Sequence, residues 1–138
     1  MVKKIMASAG KPANRHALPK AKWKILLVGD YPSSQKARAA ILEKQGCAVD
    51  TVRDADEGLA RWQPNLYDLV LVDVERNPWA AIKFCREIVK VASPRQRVAL
   101  LIGYSAPATT VSDVTLIPKD EDPKYFVDRI SRLLREVA

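Results

Sequence analysis

With 138 residues, 48% of them hydrophobic and 28% charged, the chain has the size and composition of one ordinary globular domain. Its apolar runs are all too short for the roughly 18 residues of a membrane span, the basic N-terminus lacks the apolar core of a secretory signal, and two cysteines make neither a disulfide framework nor a zinc spacing. The net charge of +7 belongs to one end: residues 1–24 hold seven basic groups and no acid, leaving 16 basic and 16 acidic groups in the rest.

Residues 1–22 therefore read as a disordered basic tail, able to touch nucleic acid or an anionic surface, ahead of a domain over 23–138. The pattern changes at Trp23. Lys24-Ile25-Leu26-Leu27-Val28 is a continuous apolar run closed by Gly29-Asp30. Such a run predicts a strand buried on both faces, as in a parallel sheet. A helix follows from Ser33 to Gln45, with Ala37, Ile41 and Leu42 on its inward face and Gly46 as its stop. Ala48 to Val52 alternates more and suits an edge strand.

Asp54-Ala55-Asp56-Glu57 has capping-box spacing and opens a helix that carries Leu59 and Trp62 and ends by Pro64. Tyr67 to Asp73 is a second continuous run, again ending in an acid. A helix from Ala80 to Ala92 turns Ile82, Cys85, Ile88 and Val89 inward. Val98 to Ile102 is the next strand. Tyr104 to Asp113 lacks apolar periodicity, so a helix there is short or absent. Val114 to Ile117 is a strand closed by Pro118-Lys119. Asp122-Pro123 is an N-cap with Pro at the first helical position, and Phe126, Ile130, Leu133, Leu134 and Val137 form the stripe of the last helix. Arg129, Arg132 and Arg135 fall on its solvated side. Cys47 and Cys85 read as buried thiols, and Trp62 and Trp79 as packing residues.

Strands alternating with helices imply right-handed crossovers and a three-layer α/β/α sandwich around a parallel sheet. Ligands of such sheets bind beyond the carboxyl ends of the strands. That rule selects Asp30, Asp73, Ile102-Gly103 and Lys119. Two carboxylates can hold Mg²⁺, and a carboxylate oxygen can attack phosphorus to give an aspartyl phosphate. A lysine then offsets the charge of the transferring group. Asp73 suits the nucleophile, Asp30 the metal ligand and Lys119 the phosphate partner. Gly29-Asp30-Tyr31-Pro32 has neither phosphate-cradling glycine loop, which argues against a nucleotide-binding enzyme.

Between Lys24 and Leu134 the chain resembles the receiver domains of bacterial two-component response regulators. Ile25 to Asp30 looks like their first strand and its acidic end. Tyr67 to Asp73 looks like the phosphoacceptor strand, and Lys119 to Pro123 with Tyr125-Phe126 looks like the lysine loop and last helix. The resemblance implies a flavodoxin-like sheet of five parallel strands in the order 2-1-3-4-5. It also implies phosphorylation of Asp73 and Mg²⁺ held by Asp30, Asp73 and the backbone carbonyl of Glu75. The donor is a histidine kinase or phosphotransfer protein, and the chain is a phosphoacceptor rather than a turnover enzyme.

A cytoplasmic protein without membrane contact is expected, monomeric or weakly dimeric. It stands alone without an output module and signals through its last strand and helix. Gly29 replaces one of the family's paired acids, which implies weaker metal binding. Ile102 stands where a hydroxyl is usual and Leu116 where an aromatic switch residue is usual. Lys119-Asp120 replaces Lys-Pro, and the loop from Val74 to Pro78 lacks the usual residues. These substitutions raise the alternative of a pseudo-receiver, a protein-interaction module independent of phosphorylation.

Overall fold

A computed structural model of the protein describes residues 23–74, 76–91, 96–102, 113–119 and 122–137. The elements follow in chain order: β1 (Trp23–Gly29), α1 (Pro32–Lys44), β2 (Cys47–Val52), α2 (Ala55–Arg61), β3 (Leu69–Asp73), α3 (Pro78–Val89), β4 (Arg97–Ile102), β5 (Val114–Pro118) and α4 (Pro123–Val137). All strand pairs are parallel, and the sheet order is β2-β1-β3-β4-β5. The chain reverses its direction of progress across the sheet at β1, so the crevice for a ligand opens between the carboxyl ends of β1 and β3. In that register Gly29 lies beside Asp73.

Strand periodicity sorts the core into two halves. Ile25, Leu27, Leu69, Leu71, Ala99, Leu101 and Ile117 face α1 and α4, where Leu42, Phe126, Ile130, Leu133 and Leu134 cover them. Leu26, Val28, Val70, Val72, Val98 and Leu100 face the other way, against Ala81, Ile82, Phe84, Cys85 and Ile88 of α3. This double burial is why the strands read as unbroken apolar runs. The helix α2 comes close because it has no side chain at the contact. A Cβ on Gly58 would lie 2.9 Å from Phe84 Cε1 and 3.3 Å from Val28 Cγ2.

The ends of the helices follow local chemistry. Asn77 Oδ1 accepts from the Ala80 amide and Pro78 opens α3. Asp122 precedes Pro123 in α4, its Oδ1 accepting from the Lys124 amide. Gly46 after α1 takes φ +93, a conformation that costs other residues. Asp54 Oδ1 accepts from the Glu57 amide at 2.8 Å, as the capping-box spacing predicts. Glu57 reaches back one residue further than expected, to the Arg53 amide.

Other expectations need correction. The inward face of α1 is Gln35, Arg38, Ala39, Ile41 and Leu42, so Ile41 and Leu42 are inward as expected while Ala37 is exposed. Leu59 is 44% exposed, because Gly58 is the position of α2 that meets the sheet. Trp79 is 63% exposed and packs little. Trp62 does pack, with Nε1 donating to Gln96 Oε1. The basic tail, the weak segment 104–113 up to its last residue, and the Lys119-Asp120 bond fall wholly or partly outside the described residues. Among the described residues no helix is long and apolar enough to cross a membrane.

Candidate functional site

Asp73 is the last residue of β3 and is 3% exposed. Its parity along the strand matches Leu69 and Leu71, so it turns towards the α1 and α4 side. Burying a carboxylate there is costly unless charge partners come with it. Two do. Lys119 Nζ lies 2.8 Å from Asp73 Oδ1. Arg38 Nη1 donates to Asp73 Oδ2 at 2.5 Å. The two cations are themselves largely covered, at 17% and 18% exposure.

The sheet places Lys119. It follows the last residue of β5, and its backbone amide donates to the Ile102 carbonyl at 2.8 Å, tying the end of β5 to β4. Sequence reasoning therefore selected Asp73 and Lys119 correctly as neighbours. It missed Arg38, because the inward face of α1 was drawn through Ala37, Ile41 and Leu42, without Gln35 and Arg38. The stretch Gln35-Lys36-Ala37-Arg38-Ala39-Ala40 carries two long cations, and nothing local tells which of them turns inward.

The two carboxyl oxygens of Asp73 differ. Oδ2 is engaged in a directed hydrogen bond from a guanidinium. Oδ1 has the Lys119 ammonium at ion-pair distance but accepts no aligned hydrogen bond among the described residues. Both oxygens thus face a cation, and Oδ1 is itself buried.

Asp30 extends from the end of β1, and its Oδ2 accepts from the Arg76 amide at 2.8 Å. This links the loops after β1 and β3. The space that a second acid would use is occupied differently. A Cβ on Gly29 would lie 3.3 Å from the Asp73 carbonyl oxygen and 3.6 Å from Gln35 Nε2. Gln35 Nε2 donates to the carbonyls of Leu27 and Val52, at 3.2 and 2.6 Å, stitching β1 to β2. Ile102 packs with the α2 and α3 half of the core, as does Leu116, so neither meets Asp73 through a polar group. Glu75 lies outside the described residues.

As arranged, the described residues do not fit a divalent cation. No three of their His, Cys, Asp or Glu side chains converge as metal ligands. One oxygen of Asp73 and one of Asp30 already accept hydrogen bonds, from Arg38 and from Arg76 respectively. Beside this cluster, a cleft of about 230 Å³ opens between α1 and α4, with Arg38 and Lys119 on its wall and Phe126 and Leu101 behind them.

Comparison with known proteins bears on the family and the fold. The family model described as "Response regulator receiver domain" matches residues 25–127. The transcriptional regulatory protein ResD of Bacillus subtilis is 29% identical over 121 residues, which are 83% of this chain and 49% of ResD. The aerobic respiration control sensor protein ArcB of Escherichia coli K12 is 29% identical over 64% of this chain and 11% of its own length. The chain thus spans about half, or much less, of the length of these relatives. Among solved structures, a CheY-like receiver domain protein from Methanospirillum hungatei superposes with a TM-score of 0.72 at 24% identity, covering 84% of this chain and 96% of that one. CheY4 of Vibrio cholerae superposes with a TM-score of 0.69 at 21% identity, over 83% of this chain and all of that one. These likenesses carry the fold, and the sequence match carries the family. The chain belongs to the response regulator receiver domains of two-component signalling.

Proposed function

We propose that Asp73 is the phosphoacceptor of this receiver domain, taken as residues 23–138, and that Lys119 is the phosphate partner. The observation that carries this is the buried Asp73 carboxylate with Lys119 Nζ 2.8 Å from Oδ1. In the transfer, Oδ1 bonds to the phosphorus of the donor, and the bond from phosphorus to the leaving group breaks. The leaving group departs with the electron pair. Lys119 then faces the new negative charge and offsets it. The donor is a histidine kinase or phosphotransfer protein, as the family implies, and the chain acts as its acceptor in the cytoplasm rather than as a turnover enzyme. The Mg²⁺ that receiver domains generally bind would have to displace Arg38 from Asp73 Oδ2, and no step of this reading is routed through it. The downstream partner is proposed to read the surface of β5 and α4.

The test is intact-mass measurement after incubation with acetyl phosphate and Mg²⁺. One added phosphoryl group is expected on the wild type and none on Asp73→Asn. An unchanged wild-type mass, with a histidine kinase as donor also failing, overturns the reading.

A second reading, the pseudo-receiver, draws on Ile102 and on the cations that already pair with Asp73. It requires a partner that binds wild type and Asp73→Asn equally, with no response of either to acetyl phosphate.

A further inference from the structure

Arg38 holds an oxygen of the central carboxylate, and it is the one charged side chain on the inward face of α1 described above. We propose that Arg38 is the resident cation of this site: it takes the place of a divalent metal ion at Asp73 Oδ2, and phosphoryl transfer to Asp73 proceeds without one. The transfer part of this inference rests on the phosphoacceptor reading above, whereas the cation-binding part stands on the geometry alone.

Three observations converge. The first is position. Arg38 Nη1 contacts Oδ2 while Lys119 contacts Oδ1, so each oxygen of a 3%-exposed carboxylate faces a different cation. A metal ion bound to Oδ2 would have to displace the guanidinium and hold a second positive charge beside it. The second is charge. Asp73 supplies one negative charge, and Arg38 and Lys119 already set two positive ones against it. A divalent ion on the same carboxylate would add two more positive charges beside them. The third is the replacement of the neighbouring acid. Gly29 stands at the end of β1, and Gln35, one helical turn before Arg38, bridges the carbonyls of Leu27 and Val52 there. A Cβ at that position would press on the Asp73 carbonyl at 3.3 Å and touch Gln35 at ordinary contact distance. The inward face of α1 therefore carries a neutral amide and a guanidinium where they abut the strand ends.

A guanidinium is suited to this substitution. It stays charged at any working pH and carries five N–H donors in one plane. One donor can hold Oδ2 while others meet oxygens of an incoming phosphoryl group. It neutralises charge and orients the acceptor, which are the positioning parts of metal catalysis. With acetyl phosphate the balance is complete without a metal. Asp73 Oδ1 bonds to phosphorus, the bond from phosphorus to the bridging oxygen breaks, and acetate leaves with the electron pair. No proton is required.

The experiment uses the full chain as wild type, Arg38→Met, Arg38→Lys and Asp73→Asn, each checked for folding by circular dichroism. In the first arm, Mg²⁺ is titrated calorimetrically. Arg38→Met keeps the apolar stem and loses the charge, so it is expected to bind Mg²⁺ about tenfold or more tightly than wild type, with Arg38→Lys in between. Equal affinity in wild type and Arg38→Met overturns the proposal. If Arg38→Met does not fold, Arg38→Lys carries the comparison, and equality with wild type overturns it likewise. In the second arm, acetyl phosphate labelling is followed by mass in the presence of EDTA. Wild type is expected to be labelled, and Arg38→Met to be labelled about tenfold more slowly until Mg²⁺ is restored. Loss of wild-type labelling in EDTA, with labelling in Mg²⁺ retained, overturns metal independence. Absence of labelling under both conditions sinks the phosphoacceptor reading instead, and the binding arm then decides the role of Arg38 alone.

Discussion

At the residue scale, the arrangement around Asp73 shows how a buried charge is made tolerable. Its two oxygens meet two cations from distant parts of the chain, one on α1 and one after β5. Removing the carboxylate would leave those cations facing each other. Asp73→Ala is accordingly expected to cost about 1–3 kcal/mol in urea denaturation, whereas Asp73→Asn, which still accepts from Arg38, costs less. A second polar residue has the same logic without charge. Gln96 is buried, accepts from Trp62 Nε1 at 2.8 Å and donates to the Tyr67 carbonyl at 2.9 Å. Gln96→Leu would strand both partners, and a loss of about 1–3 kcal/mol is expected by the same measurement. No loss would mean that Trp62 and Tyr67 find other partners.

At the scale of elements, close approach governs α2. With Gly58 against Phe84 and Val28, the helix lies nearer the sheet than any residue with a side chain would permit. Phe84 is fully buried and cannot yield freely. Gly58→Ala is therefore expected to destabilise by about 1–3 kcal/mol, even though alanine favours helices, because overpacking outweighs propensity here. A thermal melt showing a higher midpoint for Gly58→Ala would refute that ordering. The Asp54 cap is cheaper to test. Asp54→Ala removes the acceptor for the Glu57 amide and should cost about 1 kcal/mol, read from the denaturation midpoint at constant slope.

At the scale of the molecule, three buried acids of weak strength set an alkaline limit. Burial pushes the Cys85 thiol up to about 12 from an ordinary 9.0. Burial, and secondarily the Asp68 charge, pushes Cys47 up to about 11. Tyr67 is raised as well, by burial first and then by its hydrogen bond to Asp50. The unfolded chain releases these protons at lower pH than the folded one. The stability they contribute is whole below about pH 9 and is lost as pH climbs towards 11 and 12. Urea denaturation at pH 8, 9.5 and 10.5 should show a falling free energy. The decline should be shallower in a Cys47→Ala, Cys85→Ala double variant, whatever its starting stability. An identical decline in the two proteins would show that the thiols do not set it.

Much of this was legible in the amino-acid order. Four of the five strands announced themselves as short apolar runs, because a parallel sheet covered on both faces leaves no polar side to interrupt them, and the edge strand β2 showed itself by alternation instead. Asp73 and Lys119 were legible because each ends or follows such a run, and the carboxyl edge of the sheet is where strand ends meet. Gly46 and Asp54 were legible because turn and cap chemistry is local. What the tertiary structure alone decided was which face of a weakly patterned helix turns inward. Along α1 the alanines allow several choices, and only contact with β1, β2 and Asp73 selects Gln35 and Arg38. The same holds for Leu59 and Trp79, whose apolar character suggested burial that the neighbouring elements do not provide. Sequence order by itself determined the strands and the acidic centre, since those follow from local pattern. The cation that sits on Asp73 was decided by packing, since a salt bridge 35 residues apart in the chain has no local signature.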